Sequence, residues 1–376
     1  MNIYLLMLLN YLIFIENLFK IILNKYNYMK YTIGIPKEIK TNELRVSLIP
    51  YDVKKLTDLN IQVFIEKNAG ICALFNDEDY LNAGAIICET PKEVFDNSSI
   101  IVKVKELLNE EYDYINENHI ILTFFHFASN PSLIDAMINK KTICIAYETI
   151  KKDDGTYPIL APMSKIAGEQ SIINATDFIK KSKGFITDKV ITIIGAGNVG
   201  KASAYKAKEL GYKNINLIDK DYKKLENFIN HGFCIYEMTD KNLIELLKIS
   251  SIVIGSIYNS GEKAKKLITN DMMDLMMENS IIMDVAIDQG GITEQSEIRN
   301  IYDPIIKYNK TNIYCVSNIP SAVPHRASNE LSNAIYPYIE IIINDMNIQK
   351  TIENNQELKR GVNIYKGEIW NLNFIK

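Results

Sequence analysis

The sequence predicts an α/β protein made of two Rossmann-like, doubly wound parallel sheets with a cleft between them. Three observations predict it. Short apolar runs alternate with helical patterns from Thr32 onward, the alternation that parallel sheets require. The run Lys189-Val190-Ile191-Thr192-Ile193-Ile194-Gly195-Ala196-Gly197-Asn198-Val199-Gly200 reads as a buried β-branched strand, a glycine turn and a helix start. A second strand, Ile215-Asn216-Leu217-Ile218-Asp219, then ends in an acid about twenty residues after the glycines.

In chain order, 32–35, 62–66, 99–104, 120–125 and 142–147 read as strands, with helical stretches such as 50–59 and 131–139 between them. The latter opens Asn130-Pro131, a cap followed by proline at the first helical position. The loop Lys151-Lys152-Asp153-Asp154-Gly155-Thr156-Tyr157-Pro158 ends this region. A helical pattern follows from about Ser164 to Lys180. Strand 189–194, helix 198–210, strand 215–219 and helix 221–230 come next. Strands lie near 233–238, 251–257, 281–287 and 313–318, and a long helix covers 325–345. There is no tandem repeat or low-complexity linker. A chain of 376 residues suggests two domains, and the cleft between them is the default ligand site.

The glycine run carries a mechanism. Gly195 permits the tight turn, Gly197 lets the backbone approach a pyrophosphate, and Gly200 lets the helix pack close to the strand. Asn198 and Val199 open the helix, whose unpaired N–H groups suit an anion. Asp219 stands where a carboxylate can bond the ribose 2′-OH, which favours NAD over NADP; Lys224 is placed with the cofactor-binding residues. The plainer alternative is a glycine turn in a nucleotide-free domain.

Composition bounds the rest. The content is 47% hydrophobic and 23% charged, ordinary for a globular protein. A net charge of −4, with lysines interleaved among acids, leaves no footprint for nucleic acid. The five cysteines are odd in number, form no Cys-x-x-Cys and sit mostly in apolar runs. That pattern fits reduced, buried thiols in the cytoplasm. No His/Cys cluster has zinc spacing, so no metal site is expected. Residues 1–28 carry apolar runs interrupted by Asn10, Glu16 and Asn17, poor for a spanning helix and without a basic n-region or cleavage site. They read as an upstream extension, with a membrane-associating helix as the alternative. Met29 reads as the natural start of the folded part.

These segments together resemble the alanine dehydrogenase family and, more distantly, the nucleotide-binding subunit of proton-translocating transhydrogenase. The resemblance covers most of 30–345. It is carried by Gly34-Ile35-Pro36-Lys37-Glu38, Glu43-Leu44-Arg45-Val46, Val102-Lys103-Val104-Lys105-Glu106, Thr123-Phe124-Phe125-His126-Phe127-Ala128 and Ala146-Tyr147-Glu148-Thr149. It continues through Leu160-Ala161-Pro162-Met163-Ser164, the glycine loop, Asp284-Val285-Ala286-Ile287-Asp288-Gln289-Gly290-Gly291 and Asn318-Ile319-Pro320-Ser321-Ala322-Val323-Pro324. The resemblance implies a substrate domain of 29–158 and 325–376, an NAD domain of 159–324 and a homo-oligomer, usually a hexamer. It also implies the reaction L-alanine + NAD⁺ + water ⇌ pyruvate + ammonium + NADH, with small-molecule substrates and no nucleic-acid or membrane partner.

The residues suit that chemistry. Arg45 offers a permanently charged fork for a carboxylate. Lys105 ends a strand, where ligands of parallel sheets bind, and an ammonium there stabilises developing negative charge. Lys103 shares its face, and the pair alone does not say which acts; the resemblance assigns Lys105. His126 follows an apolar strand and suits acid–base work near neutrality, against the plainer reading of a hydrogen-bonded core histidine. Asp288 follows another strand and can order water or ammonium; the resemblance makes it catalytic and Asp284 structural. By resemblance also, Asn318 lies beside the nicotinamide and Ser164 contacts the pyrophosphate.

The chain departs from the family pattern at Lys180–Asp188, where a glycine-rich segment is shorter and different. Lys165 and Glu169 stand where an acid and a base are usual, and Ile319 replaces a common methionine. The other readings are an amino-acid or opine-forming reductase, a transhydrogenase-like module and a non-catalytic NAD-binding protein.

Overall fold

A computed structural model describes residues 31–180, 186–257, 264–345 and 347–371. The expectations for residues 1–28, and part of that for 180–188, lie outside the described residues. The first sheet comprises β1 (Thr32–Ile35), β2 (Gln62–Glu66), β3 (Ile86–Cys88), β4 (Ile100–Lys105), β5 (Ile120–Phe124) and β6 (Ile143–Ala146). The second comprises β7 (Val190–Ile194), β8 (Asn214–Asp219), β9 (Cys234–Glu237), β10 (Ile252–Gly255), β11 (Ile281–Asp284), β12 (Ile305–Tyr308) and β13 (Thr311–Tyr314). The chain then returns to the first sheet with β14 (Val362–Tyr365) and β15 (Glu368–Ile369).

The strand orders are β15-β14-β6-β5-β4-β1-β2-β3 and β12-β13-β11-β10-β7-β8-β9. Each contains the same parallel core. Numbered from its own first strand, each core runs 3-2-1-4-5-6, so each sheet reverses direction beside its first strand. A crevice opens there at the carboxyl ends of the strands, β1 against β4 in one sheet and β7 against β10 in the other. Helices cover both faces, which is why β4 and β5 are buried at every position despite two lysines in β4.

Two helices set the geometry between the sheets. Pro324–Ile343 buries Ala327, Leu331, Ile335 and Ile339, an apolar stripe of period four, against the first core. Its serines fasten the segment after β1: Val46 N donates to Ser328 Oγ at 3.0 Å and Ile49 N to Ser332 Oγ at 3.1 Å. Leu160–Lys180 lies against Asn198–Glu209, and the two approach closely because Gly168 has no side chain. A Cβ there would overlap the Val199 carbonyl, and Ser203 Oγ donates to Gly168 O at 3.0 Å.

Several expected elements differ. The helix read from Ser164 starts at Leu160. The pattern 221–230 is helical only over Tyr222–Glu226; turns follow, with Asn230 and Gly232 at positive φ. The strands read as 251–257, 281–287 and 313–318 end at Gly255, Asp284 and Tyr314. Their apolar continuations are the loops that leave the sheet at its functional edge. The antiparallel edges were not foreseen. In one of them Lys366 and Gly367, both at positive φ, close the two-residue hairpin between β14 and β15. Cys88, Cys144 and Cys315 are buried, but Cys72 and Cys234 are exposed, because they lie on a short turn and on the edge strand β9. No helix among the described residues is long and apolar enough to cross a membrane.

Candidate active site

The crevice of the first sheet is lined by charge. Arg45 lies ten residues after β1 and is only 3% exposed. Its Nε donates to Glu43 Oε1 at 2.7 Å and its Nη2 to Glu43 Oε2 at 2.6 Å. Nη2 also donates to Asn318 Oδ1 at 2.8 Å, and Nη1 reaches Met163 Sδ at 3.2 Å. Asn318 Nδ2 donates in turn to Glu43 Oε2 at 2.6 Å. Burial works to raise the Glu43 carboxyl, but Arg45, assisted by Lys105, outweighs it and holds the group below the usual carboxylate range. Arg45 and Glu43 come from the first sheet's side, Met163 and Asn318 from the segments that lead into and out of the second. The cluster therefore ties the two halves together at the cleft.

The two lysines of β4 separate cleanly. Lys103 is fully buried, 2.7 Å from Glu111 and 3.5 Å from Glu38. It balances one of two carboxylates. Burial pushes Glu38 up to about 7, against the pull of Lys103. Its oxygens accept from Val104 N at 2.6 Å and Lys105 N at 3.3 Å, which fixes the end of β4. Lys103 is structural. Lys105 is also buried, yet its ammonium has no ion pair or hydrogen-bond partner among the described residues. A buried cation in that state is poised for an anionic or carbonyl ligand.

His126 follows β5 with φ 50° and ψ 39°, a left-handed conformation that is uncommon outside glycine. Its side chain is 41% exposed, so the core-histidine reading does not hold. The backbone N donates to Glu148 Oε1 at 2.6 Å, and Nδ1 lies 3.4 Å from Glu106 Oε2. Glu106 also pairs with Lys40. Burial would raise the Glu106 carboxyl, but His126 and Lys40 hold it well below its ordinary range. His119, by contrast, is buried with Nε2 3.0 Å from Phe95 O.

The second crevice is lined by backbone. Gly195 turns at φ +102°. A Cβ on Gly200 would overlap the Gly195 carbonyl, whereas one on Gly197 would meet open space. Asn198 and Val199 begin a twelve-residue helix whose N-cap, Gly197, has no side-chain bond. The loop thus fits a pyrophosphate: the helix start is uncapped, and the tight glycines are those that shape the turn. Asp219 accepts from Ala196 N at 2.7 Å and Asp221 N at 2.8 Å, so this carboxylate also braces the loop. Ser164 is half-buried early in the Leu160–Lys180 helix, and Lys224 is exposed.

Asp284 and Asp288 divide as the lysines do. Asp284 is buried at the end of β11, accepting from Ile292 N at 2.8 Å and from Ser296 Oγ. Burial raises its carboxyl. It holds the turn at Gly290 and Gly291, both at positive φ. Asp288 sits in that turn, exposed, and makes no bond to the other candidates among the described residues. The structure therefore joins Arg45 with Asn318 directly, brings Lys105 within electrostatic reach of them through Glu43, and pairs His126 with the residue after Lys105. No group of three or more His, Cys, Asp or Glu among the described residues can hold a metal.

Residues 34–167 match the family model described as alanine dehydrogenase/PNT, N-terminal domain, and residues 180–372 match its C-terminal domain. The chain belongs to the alanine dehydrogenase/PNT family. Alanine dehydrogenase from Staphylococcus saprophyticus is 36% identical over 353 residues, covering 90% of this chain and 94% of that protein. Alanine dehydrogenase 2 from Staphylococcus aureus is 37% identical over 354 residues, with the same coverage. A solved L-alanine dehydrogenase superposes with TM-score 0.83 at 30% identity, covering 90% of this chain and 96% of that one. A transhydrogenase from Sinorhizobium meliloti shares the fold, with TM-score 0.79 at 21% identity and coverage of 90% and 99%.

The carboxylates Glu38, Glu43, Glu106 and Glu148 were not singled out from sequence. The signal was present: each lies inside a family-like segment, and two of them stand within two residues of a chosen cation, Glu43 before Arg45 and Glu106 after Lys105.

Proposed function

We propose that this chain is an NAD-dependent alanine dehydrogenase, acting as a homo-oligomer in the cytoplasm, that interconverts L-alanine and pyruvate plus ammonium. The observation that carries the reading is the pair of buried cations, Arg45 and Lys105, in the same crevice as an exposed, carboxylate-oriented histidine.

Arg45 receives the substrate carboxylate through Nη1. Lys105 donates to the keto oxygen and stabilises the negative charge that grows there when ammonia, left after ammonium gives up a proton to solvent, adds to pyruvate. His126 moves the proton that lets the carbinolamine lose water, with Glu106 holding the ring. Asp288 orders water or ammonium and offsets the positive charge of the imine. Gly195, Gly197, Asn198, Val199, Gly200 and Ser164 would hold the pyrophosphate of the dinucleotide and Asp219 its ribose. Asn318 would stand beside the nicotinamide. The dinucleotide, when bound, supplies hydride exchange with the substrate Cα. A carboxylate at Asp219 supports NAD, since a 2′-phosphate is repelled there.

The test is oxidation of NADH by the purified full-length chain with pyruvate and ammonium. Turnover is expected, with NADPH much slower. Faster turnover with lysine or ornithine than with ammonium would contradict the alanine reading and favour an opine-forming reductase.

A further inference from the structure

The Arg45 guanidinium does not present an empty fork. Of its five N–H groups, the Nε one and one on Nη2 go to Glu43, and the other on Nη2 goes to Asn318. Only Nη1 remains, one of its hydrogens facing the weak acceptor Met163 Sδ. Glu43 is itself buried, and the Arg45 backbone N donates to its Oε1 at 3.0 Å, so the carboxylate is built into the loop. The two cations, Arg45 and Lys105, therefore both act on one fixed carboxylate, which offsets one of their two charges.

We infer that Glu43 is a positioning residue that determines substrate specificity. By occupying the Nε–Nη2 edge of Arg45 and cancelling one of two charges, it restricts the site to 2-oxo acids with one carboxylate. The inference rests on the proposed role of Arg45 as carboxylate anchor. A monocarboxylate uses Nη1 and Lys105 and neutralises the cradle. A dicarboxylate brings a second negative charge toward a buried carboxylate, an arrangement that is strongly unfavourable. Glu43 also carries Asn318, so the same carboxylate fixes the register between the substrate anchor and the residue proposed to lie beside the nicotinamide.

The experiment compares kcat/KM for pyruvate and oxaloacetate, each with ammonium and NADH, in the full chain and in Glu43→Gln. The ratio of oxaloacetate to pyruvate is expected to rise about tenfold or more in the variant. A role in folding alone would lower both values together, and an unchanged ratio would overturn the inference. Glu43→Asp keeps the charge but shortens the reach; it is expected to raise KM for pyruvate while keeping the discrimination. Should the glutamine variant not fold, the wild type still decides. L-malate is expected to inhibit competitively against pyruvate about tenfold or more weakly than L-lactate, and equal inhibition would overturn the inference. Arg45→Ala separates the two readings. If it leaves KM for pyruvate unchanged, the anchor role fails and the inference falls with it; if KM rises while the Glu43→Gln ratio stays flat, only the inference fails.

Discussion

The two crevices of this molecule are topological twins with opposite chemistry. Both open where a 3-2-1-4-5-6 sheet reverses direction beside its first strand. In the first, side chains carry the chemistry: Arg45, Lys105 and His126 sit among Glu38, Glu43 and Glu106. In the second, glycines and the unpaired N–H groups of a helix start carry it. The difference teaches that topology supplies only the place where strand ends splay apart. What that place binds is set by the residues that follow each strand.

His126→Ala removes the proposed proton carrier of the charged crevice and is expected to lower kcat roughly 100- to 10,000-fold. NADH binding, proposed for the other crevice, should be unchanged by fluorescence titration; loss of both together would collapse the distinction. Gly200→Ala attacks the second crevice in the converse way. Its Cβ would overlap the Gly195 carbonyl, so the loop must shift. NADH affinity should fall by at least about tenfold, with a stability loss of about 1–3 kcal/mol in denaturant titration. Lys103→Ala leaves Glu38 and Glu111 buried without their cation and is expected to cost about 3–5 kcal/mol of stability. That places Lys103 among the residues that build the crevice, not those that work in it.

The smallest effect concerns pH. Glu38 has a folded-state pKa raised to about 7 by burial, above its unfolded value near 4.5. Between those values the native state binds more protons than the unfolded chain, so stability falls as pH rises through that window. Glu38→Gln should flatten the dependence of Tm on pH between about 5 and 7. An unchanged slope would show that another group titrates there.

The contrast between the crevices also explains what sequence alone can reveal. The glycine loop was legible because its constraint is local: a turn, a close approach and a helix start all fall within one short run. The fold class was legible for the same reason, through the alternation of apolar and helical segments. The charged crevice is assembled from loops far apart in sequence. Periodicity does not distinguish Lys103 from Lys105, since both lie on one strand with the same parity. Only the approach of Glu111 and Glu38 makes one structural. The same holds for Asp284 and Asp288, separated by the bond from Ile292 N. Glu43 and Glu106 escaped notice because an acid beside a cation in a sequence reads as ordinary surface pairing. Burial, which sequence does not show here, turns them into parts of the site. The antiparallel edges were missed because short strands leave little periodic signal.

The central claim is that the ammonium of the buried residue Lys105, which has no hydrogen-bond or ion-pair partner among the described residues, meets the substrate in the first crevice while the second holds the dinucleotide independently. Lys105→Met in the full-length chain tests it most directly, measured as pyruvate- and ammonium-dependent NADH oxidation alongside NADH affinity. The account predicts near-complete loss of turnover with NADH affinity unchanged. Turnover close to wild type in a folded Lys105→Met protein would contradict it.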